Sequence, residues 1–73
     1  MPLRPLPYRI VKRKLLAAGF TETSQRGSHV KFVRAVPEGL RTVIVPSHRE
    51  LAVGTLRSIL RQAGLTSDEF DAL

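Results

Sequence analysis

The chain contains no cysteine. That excludes disulfides, thiolate metal centres and thiol redox chemistry, and it agrees with an expected cytoplasmic location. It also contains no tryptophan and only one methionine. No apolar run approaches the roughly 20 residues that a membrane-spanning helix needs. The start, Met1-Pro2-Leu3-Arg4-Pro5-Leu6-Pro7, is too rich in proline to read as a signal peptide. Acids are scarce: six Asp and Glu stand against twelve Lys and Arg, for a formal charge of +6. Three of those six (Asp68, Glu69 and Asp71) crowd the last six positions. Only Glu22, Glu38 and Glu50 oppose the cations before them, so the body is more basic than the total implies. A field of that sign attracts phosphate backbones and raises encounter rates. A merely solubilising surface and an acidic protein partner are the other readings of the same charge.

The 73 residues predict one domain spanning 1–73, with 1–6 loosely ordered. A chain this small buries only about 60% of its unfolded surface, so its core is thin. A helix is expected from Pro7 to Ala18. Proline suits a first helical position, Tyr8, Val11, Leu15 and Ala18 share one face, and Gly19 is a natural left-handed stop. Strands are expected at Phe20–Gln25, Val30–Val36 and Arg41–Val45, separated by breaks at Gly27 and at Pro37-Glu38-Gly39 and closed by Pro46. A loop over Ser47–Val53 leads to a second helix that begins at Gly54-Thr55. This helix carries Leu56, Ile59, Leu60 and Ala63 on one stripe and stops at Gly64. Thr66 and Glu69 form a capping box for a short last helix through Leu73. The order α-β-β-β-α, with a short C-terminal helix, predicts an α+β sandwich with the topology of double-stranded-RNA-binding domains. Fold alone does not confer their function.

The chemistry-bearing residues are few. Two histidines and Glu50 make a poor structural zinc site, which closes with four ligands, so no metal and no cofactor are expected. Ser28-His29 and Ser47-His48 are adjacent pairs, and neighbours on a strand point to opposite faces, which argues against serine hydrolysis. Cleavage of RNA needs neither metal nor protein nucleophile, because the ribose 2′-hydroxyl attacks. The enzyme must move two protons and stabilise a charged phosphorane. Histidine, with a free pKa near about 6.5, suits the first task, and Arg or Lys suits the second. The plainer reading of His29 is a polar residue at a strand edge. With Glu38 and Gly39 as the central turn residues, the second hairpin would place His29 directly opposite His48, beside Arg26 and Lys31. The face shared by His29, Lys31, Val33 and Ala35 would then be partly apolar.

Four segments, in this order and spacing, carry a resemblance over Leu6 to Leu73. They are Leu15-Leu16-Ala17-Ala18-Gly19-Phe20, Gly27-Ser28-His29, Val45-Pro46-Ser47-His48, and the run from Gly54 to Leu65. The chain resembles HicA-type toxins, the ribonuclease half of a prokaryotic toxin–antitoxin pair. The resemblance implies a double-stranded-RNA-binding-like fold and metal-independent cleavage of messenger RNA. It makes His29 the essential acid/base, and the hairpin pairing above offers His48 as its candidate complement. Arg26, Gly27, Ser28, Lys31 and Arg57 become the expected RNA-binding residues. It also implies a HicB-type antitoxin that masks His29. The free toxin is expected to be monomeric. Where many members carry a second histidine directly after the motif, this chain has Val30. The lysine cluster with which duplex binders begin their second helix is missing, since Ala52-Val53-Gly54-Thr55 holds no charge, and that argues against duplex clamping. The competing readings are a non-catalytic RNA-binding module, which leaves His29 dispensable, and a protein-interaction domain whose basic face serves an acidic partner.

Overall fold

The computed structural model describes residues 3–73. The elements run α1 (Tyr8–Ala17), β1 (Thr21–Arg26), β2 (His29–Val36), β3 (Gly39–Pro46), α2 (Val53–Ala63) and α3 (Ser67–Asp71). The protein is α+β, with the expected α-β-β-β-α order and a short last helix. The three strands form one antiparallel sheet in the order β1-β2-β3.

Strand alternation decides which face the helices cover. Val30 and Phe32 on β2 pair with Val45 and Val43 on β3, and all four are buried. They join Val11 and Leu15 of α1 and Leu56, Ile59, Leu60 and Ala63 of α2 in one apolar core. Burying each such large side chain contributes about 1.5–3 kcal/mol. The intervening strand residues, His29, Lys31, Val33 and Ala35, lie on the opposite, uncovered face with Ile44 and Leu40 across from them. Leu40 is 70% exposed and Ile44 40%, so that face is as mixed in polarity as the sequence suggests.

α2 runs antiparallel to β3 and is pinned along it. The Gln62 side-chain oxygen accepts from the Ile44 backbone N–H at 2.9 Å, and Arg41 donates to the Gln62 carbonyl at 3.4 Å. The first of these bonds also occupies an edge-strand donor that would otherwise be open to another strand. The helix ends at Gly64, whose φ of +71 is left-handed, and the Leu65 N–H returns to the Leu60 carbonyl at 3.0 Å. An added Cβ at Gly64 would also lie 2.6 Å from the Arg41 guanidinium. The Thr66–Glu69 capping box is formed on both sides, at 2.8 and 3.1 Å. It launches α3, which delivers Phe70 fully buried into the core. Among the described residues, no helix is long and apolar enough to cross a membrane.

Three details depart from the sequence reading. The second hairpin turns on Pro37-Glu38, with Val36 paired to Gly39. Proline presets the backbone angle of the first central turn position, and glycine suits the position after the turn. β1 carries an irregularity between Glu22 and Ser24 that leaves Thr23 unpaired. The N-terminal segment, expected to be loose, is tied down at Leu6, which exchanges backbone hydrogen bonds with Leu51 at 3.1 and 2.7 Å. Met1 and Pro2 of that segment lie outside the described residues.

Candidate functional site

The site grows from the tight turn between β1 and β2. Arg26 closes β1, His29 opens β2, and the two are direct cross-strand partners. Gly27 and Ser28 make the turn. Gly27 has a φ of +59, and no non-glycine residue among those described has positive φ. Those signs are the pattern of a type II′ turn, whose twist matches that of the flanking strands. A Cβ at Gly27 would meet nothing within 4 Å, so the backbone angle, not a close neighbour, explains the glycine. Gln25 braces the turn by donating to the Gly27 carbonyl at 3.0 Å.

Directly opposed residues carry Cβ atoms about 4.5–5.5 Å apart, which brings the Arg26 and His29 side chains together. Lys31 follows two positions along the same uncovered face, opposite Ser24. All four are exposed. No acid joins them. Glu22, the nearest in β1, lies beyond the strand irregularity and binds Lys12 of α1 at 2.9 Å. Neither Arg26 nor Lys31 has an ion-pair partner among the described residues. The turn therefore presents an imidazole beside two free cations.

His48 is not opposite His29. The partner of His29 is Pro46, because the turn sits on Pro37-Glu38 and shifts the register of β3 by two residues. Both histidines remain at the same end of the hairpin. The Ser47 N–H donates to the Ser28 carbonyl at 2.6 Å, so the residues just before His29 and His48 are joined through their backbones. His48 lines a cleft with Pro7, Tyr8, Arg9, Ser47, Arg49 and Glu50. His29 is not among the lining residues. In that cleft, burial pushes the Tyr8 phenol above its ordinary value. The Lys12 ammonium opposes that shift and the Glu22 carboxylate adds to it.

Arg57 is exposed in the first half of α2, the half that follows the His48 loop. Among the described residues no hydrogen bond or ion pair joins it to Arg26 or Lys31. The structure thus gathers Arg26, Gly27, Ser28, His29 and Lys31, brings His48 to the same end, and carries Arg57 on α2 with no bond to that turn. Among the described residues there is no group of three or more His, Asp and Glu placed to hold a metal ion. The sequence reading missed the cleft. Tyr8 was legible only as a member of a helical stripe, and the Leu6–Leu51 bridge that closes the cleft has no local signature.

One protein family, described as the HicA toxin of bacterial toxin-antitoxin, has a model that matches residues 8–65. The match begins with α1 and passes the end of α2, so it contains both hairpins and the His48 loop. No curated protein matches the chain.

Proposed function

The chain belongs to the family of HicA toxins of bacterial toxin–antitoxin systems, and on that premise we propose that it is an endoribonuclease that cuts messenger RNA without a metal. The observation that supports this reading is the exposed His29 directly opposite Arg26, with Lys31 next on the same open face. An acid/base group and phosphate-binding cations in one solvent-facing patch suit cleavage by the substrate's own 2′-hydroxyl.

In the proposed reaction one histidine accepts the 2′-hydroxyl proton while the oxygen attacks phosphorus. The bond from phosphorus to the 5′-oxygen breaks, and that oxygen takes a proton from a second group. The products are a 2′,3′-cyclic phosphate and a 5′-hydroxyl. His29 performs one of these proton steps, and His48, across the Ser47–Ser28 bond, is the candidate for the other. Arg26 and Lys31 offset the charge that grows on the phosphorane oxygens, where fixed cations act most strongly. Gly27 and Ser28 hold the turn that aims His29. Arg57 meets a more distant phosphate of the bound strand.

An RNA-cutting toxin must be restrained in its own cell. The partner in this reading is a HicB-type antitoxin that covers His29, Arg26 and Lys31. It is captured faster at low salt because an acidic surface is drawn to this basic one. The free toxin acts as a monomer in the cytoplasm.

The test is cleavage of a defined RNA by the purified protein in excess EDTA, with analysis of the product ends. Undiminished cutting that leaves 2′,3′-cyclic phosphates is the expected result. Loss of activity restored by a divalent ion, or 3′-hydroxyl ends, would overturn the mechanism.

A further inference from the structure

We propose that the cleft between the start of α1 and the loop after β3 is a nucleotide subsite that selects guanine next to the cut phosphodiester. The proposal rests on the ribonuclease reading for its substrate class, but its geometry is independent of His29.

The cleft has two walls, Pro7-Tyr8-Arg9 and Ser47-His48-Arg49-Glu50. They are locked together from behind. Leu6, just before the first wall, and Leu51, just after the second, exchange backbone hydrogen bonds at 3.1 and 2.7 Å. Leu51 is buried in the core beneath them. The walls are therefore held at a fixed separation before any ligand arrives, which lowers the ordering cost of binding.

The lining supplies what one nucleotide needs. Tyr8 is half-buried and packs against the core, so its ring is held in place and offers a platform on which a base can stack. Arg9 and Arg49 are exposed cations for phosphate, and His48 adds a further hydrogen-bonding group. Among the described residues of the lining, Glu50 is the one acid. Although two arginines share its cleft, Glu50 has no ion-pair or hydrogen-bond partner among the described residues. Its carboxylate and those guanidinium groups are left for a ligand.

Glu50 decides the base. An ionised carboxylate only accepts hydrogen bonds and can take two in parallel. Guanine alone among the four bases presents two adjacent N–H donors, at N1 and N2. Cytosine and adenine each present an amino group beside a ring acceptor. Uracil presents one N–H between two carbonyl oxygens, which repel a carboxylate. The Ser47–Ser28 bond of 2.6 Å makes this wall continuous with the turn that carries His29, so the bound guanine would adjoin the phosphate placed there.

The experiment is a titration of the full chain with guanosine, adenosine, cytidine and uridine monophosphates, followed by amide chemical shifts. Guanosine monophosphate should move Tyr8, Arg9 and the Ser47–Leu51 segment, with an affinity about tenfold above the other three, as one bidentate base contact supplies. Glu50→Gln should erase that preference and keep the folded spectrum. The proposal is overturned if the four nucleotides bind equally, if shifts are confined to Arg26–Lys31, or if saturating guanosine monophosphate moves none of the cleft. Binding is read without cleavage, so such a failure leaves the nuclease reading standing. Conversely, a protein that binds guanine here but never cuts RNA would retain the subsite and lose the nuclease.

Discussion

Replacing Lys14 by methionine should release the C-terminal helix. The Lys14 ammonium, on α1, donates to the carbonyls of Phe70 and Leu73 at 3.0 Å each and reaches that of Asp71 at 3.5 Å. It also lies 5.2 Å from the centre of the Phe70 ring. α3 is five residues long, far below the length at which a helix stands alone. The Phe70 carbonyl also accepts from the Leu73 N–H at 3.2 Å, but the carbonyls at this end carry the negative end of the helix dipole, which the Lys14 cation offsets. Hydrogen bonds to a charged group contribute about 1.5–3 kcal/mol when buried. The part-exposed setting of Lys14 reduces that, and the ring contact adds about 0.5–1 kcal/mol. The net loss for Lys14→Met, which keeps length and apolar contact, should be about 2 kcal/mol. For a domain of this size that corresponds to a fall in Tm of about 8–16 °C. Thermal unfolding followed by circular dichroism measures it, and amide exchange at Phe70–Leu73 should accelerate. A Tm within about 2 °C of the wild type would refute the claim that Lys14 holds α3.

Two further outcomes follow from the site and the caps. In a His29→Ala background that leaves RNA intact, Arg26→Ala or Lys31→Ala should each weaken binding evenly across sequences and flatten the salt dependence by about 0.7 per lost cation for single strands; anisotropy titrations over a salt series that return the original slope would contradict this. Glu69 has its pKa held below the ordinary value of 4.5, chiefly by the hydrogen bond from the Thr66 backbone N–H and then by the Thr66 side chain. Because the folded pKa is the lower one, its contribution is fully present above the ordinary value and is lost as pH falls through the lowered one. The Tm gap between wild type and Glu69→Gln should therefore close on acidification, and a gap independent of pH would contradict it.

The parts of the fold that local chemistry dictates were legible in the sequence. The stripe Leu56, Ile59, Leu60, Ala63 is buried as its spacing requires. Gly64 takes the left-handed angle, and Thr66 with Glu69 forms its box. α2 begins at Val53, a residue or two earlier than expected, which is the ordinary uncertainty of a helix end. What failed was register. A turn centred on Glu38-Gly39 would set His48 opposite His29, whereas the turn on Pro37-Glu38 slides β3 by two residues and sets Pro46 there. A shift of two preserves the faces of a strand, so the exposure of His29 and Lys31 was still read correctly. The irregularity at Thr23 and the Leu6–Leu51 bridge depend on contacts distant in sequence, and no local pattern announces them. The turn residues of the candidate site were visible for the same reason that the turn was. The Tyr8–Glu50 cleft was not, because its walls are more than thirty positions apart.

The most direct test of the account is RNA cleavage by His29→Ala. The His29 side chain is exposed and makes no hydrogen bond or ion pair among the described residues, so the variant should fold and melt like the wild type. Its cleavage rate on a defined RNA should fall about 10²–10⁴-fold, the usual cost of one acid–base group. A folded His29→Ala protein that cuts RNA at the wild-type rate would contradict the central claim.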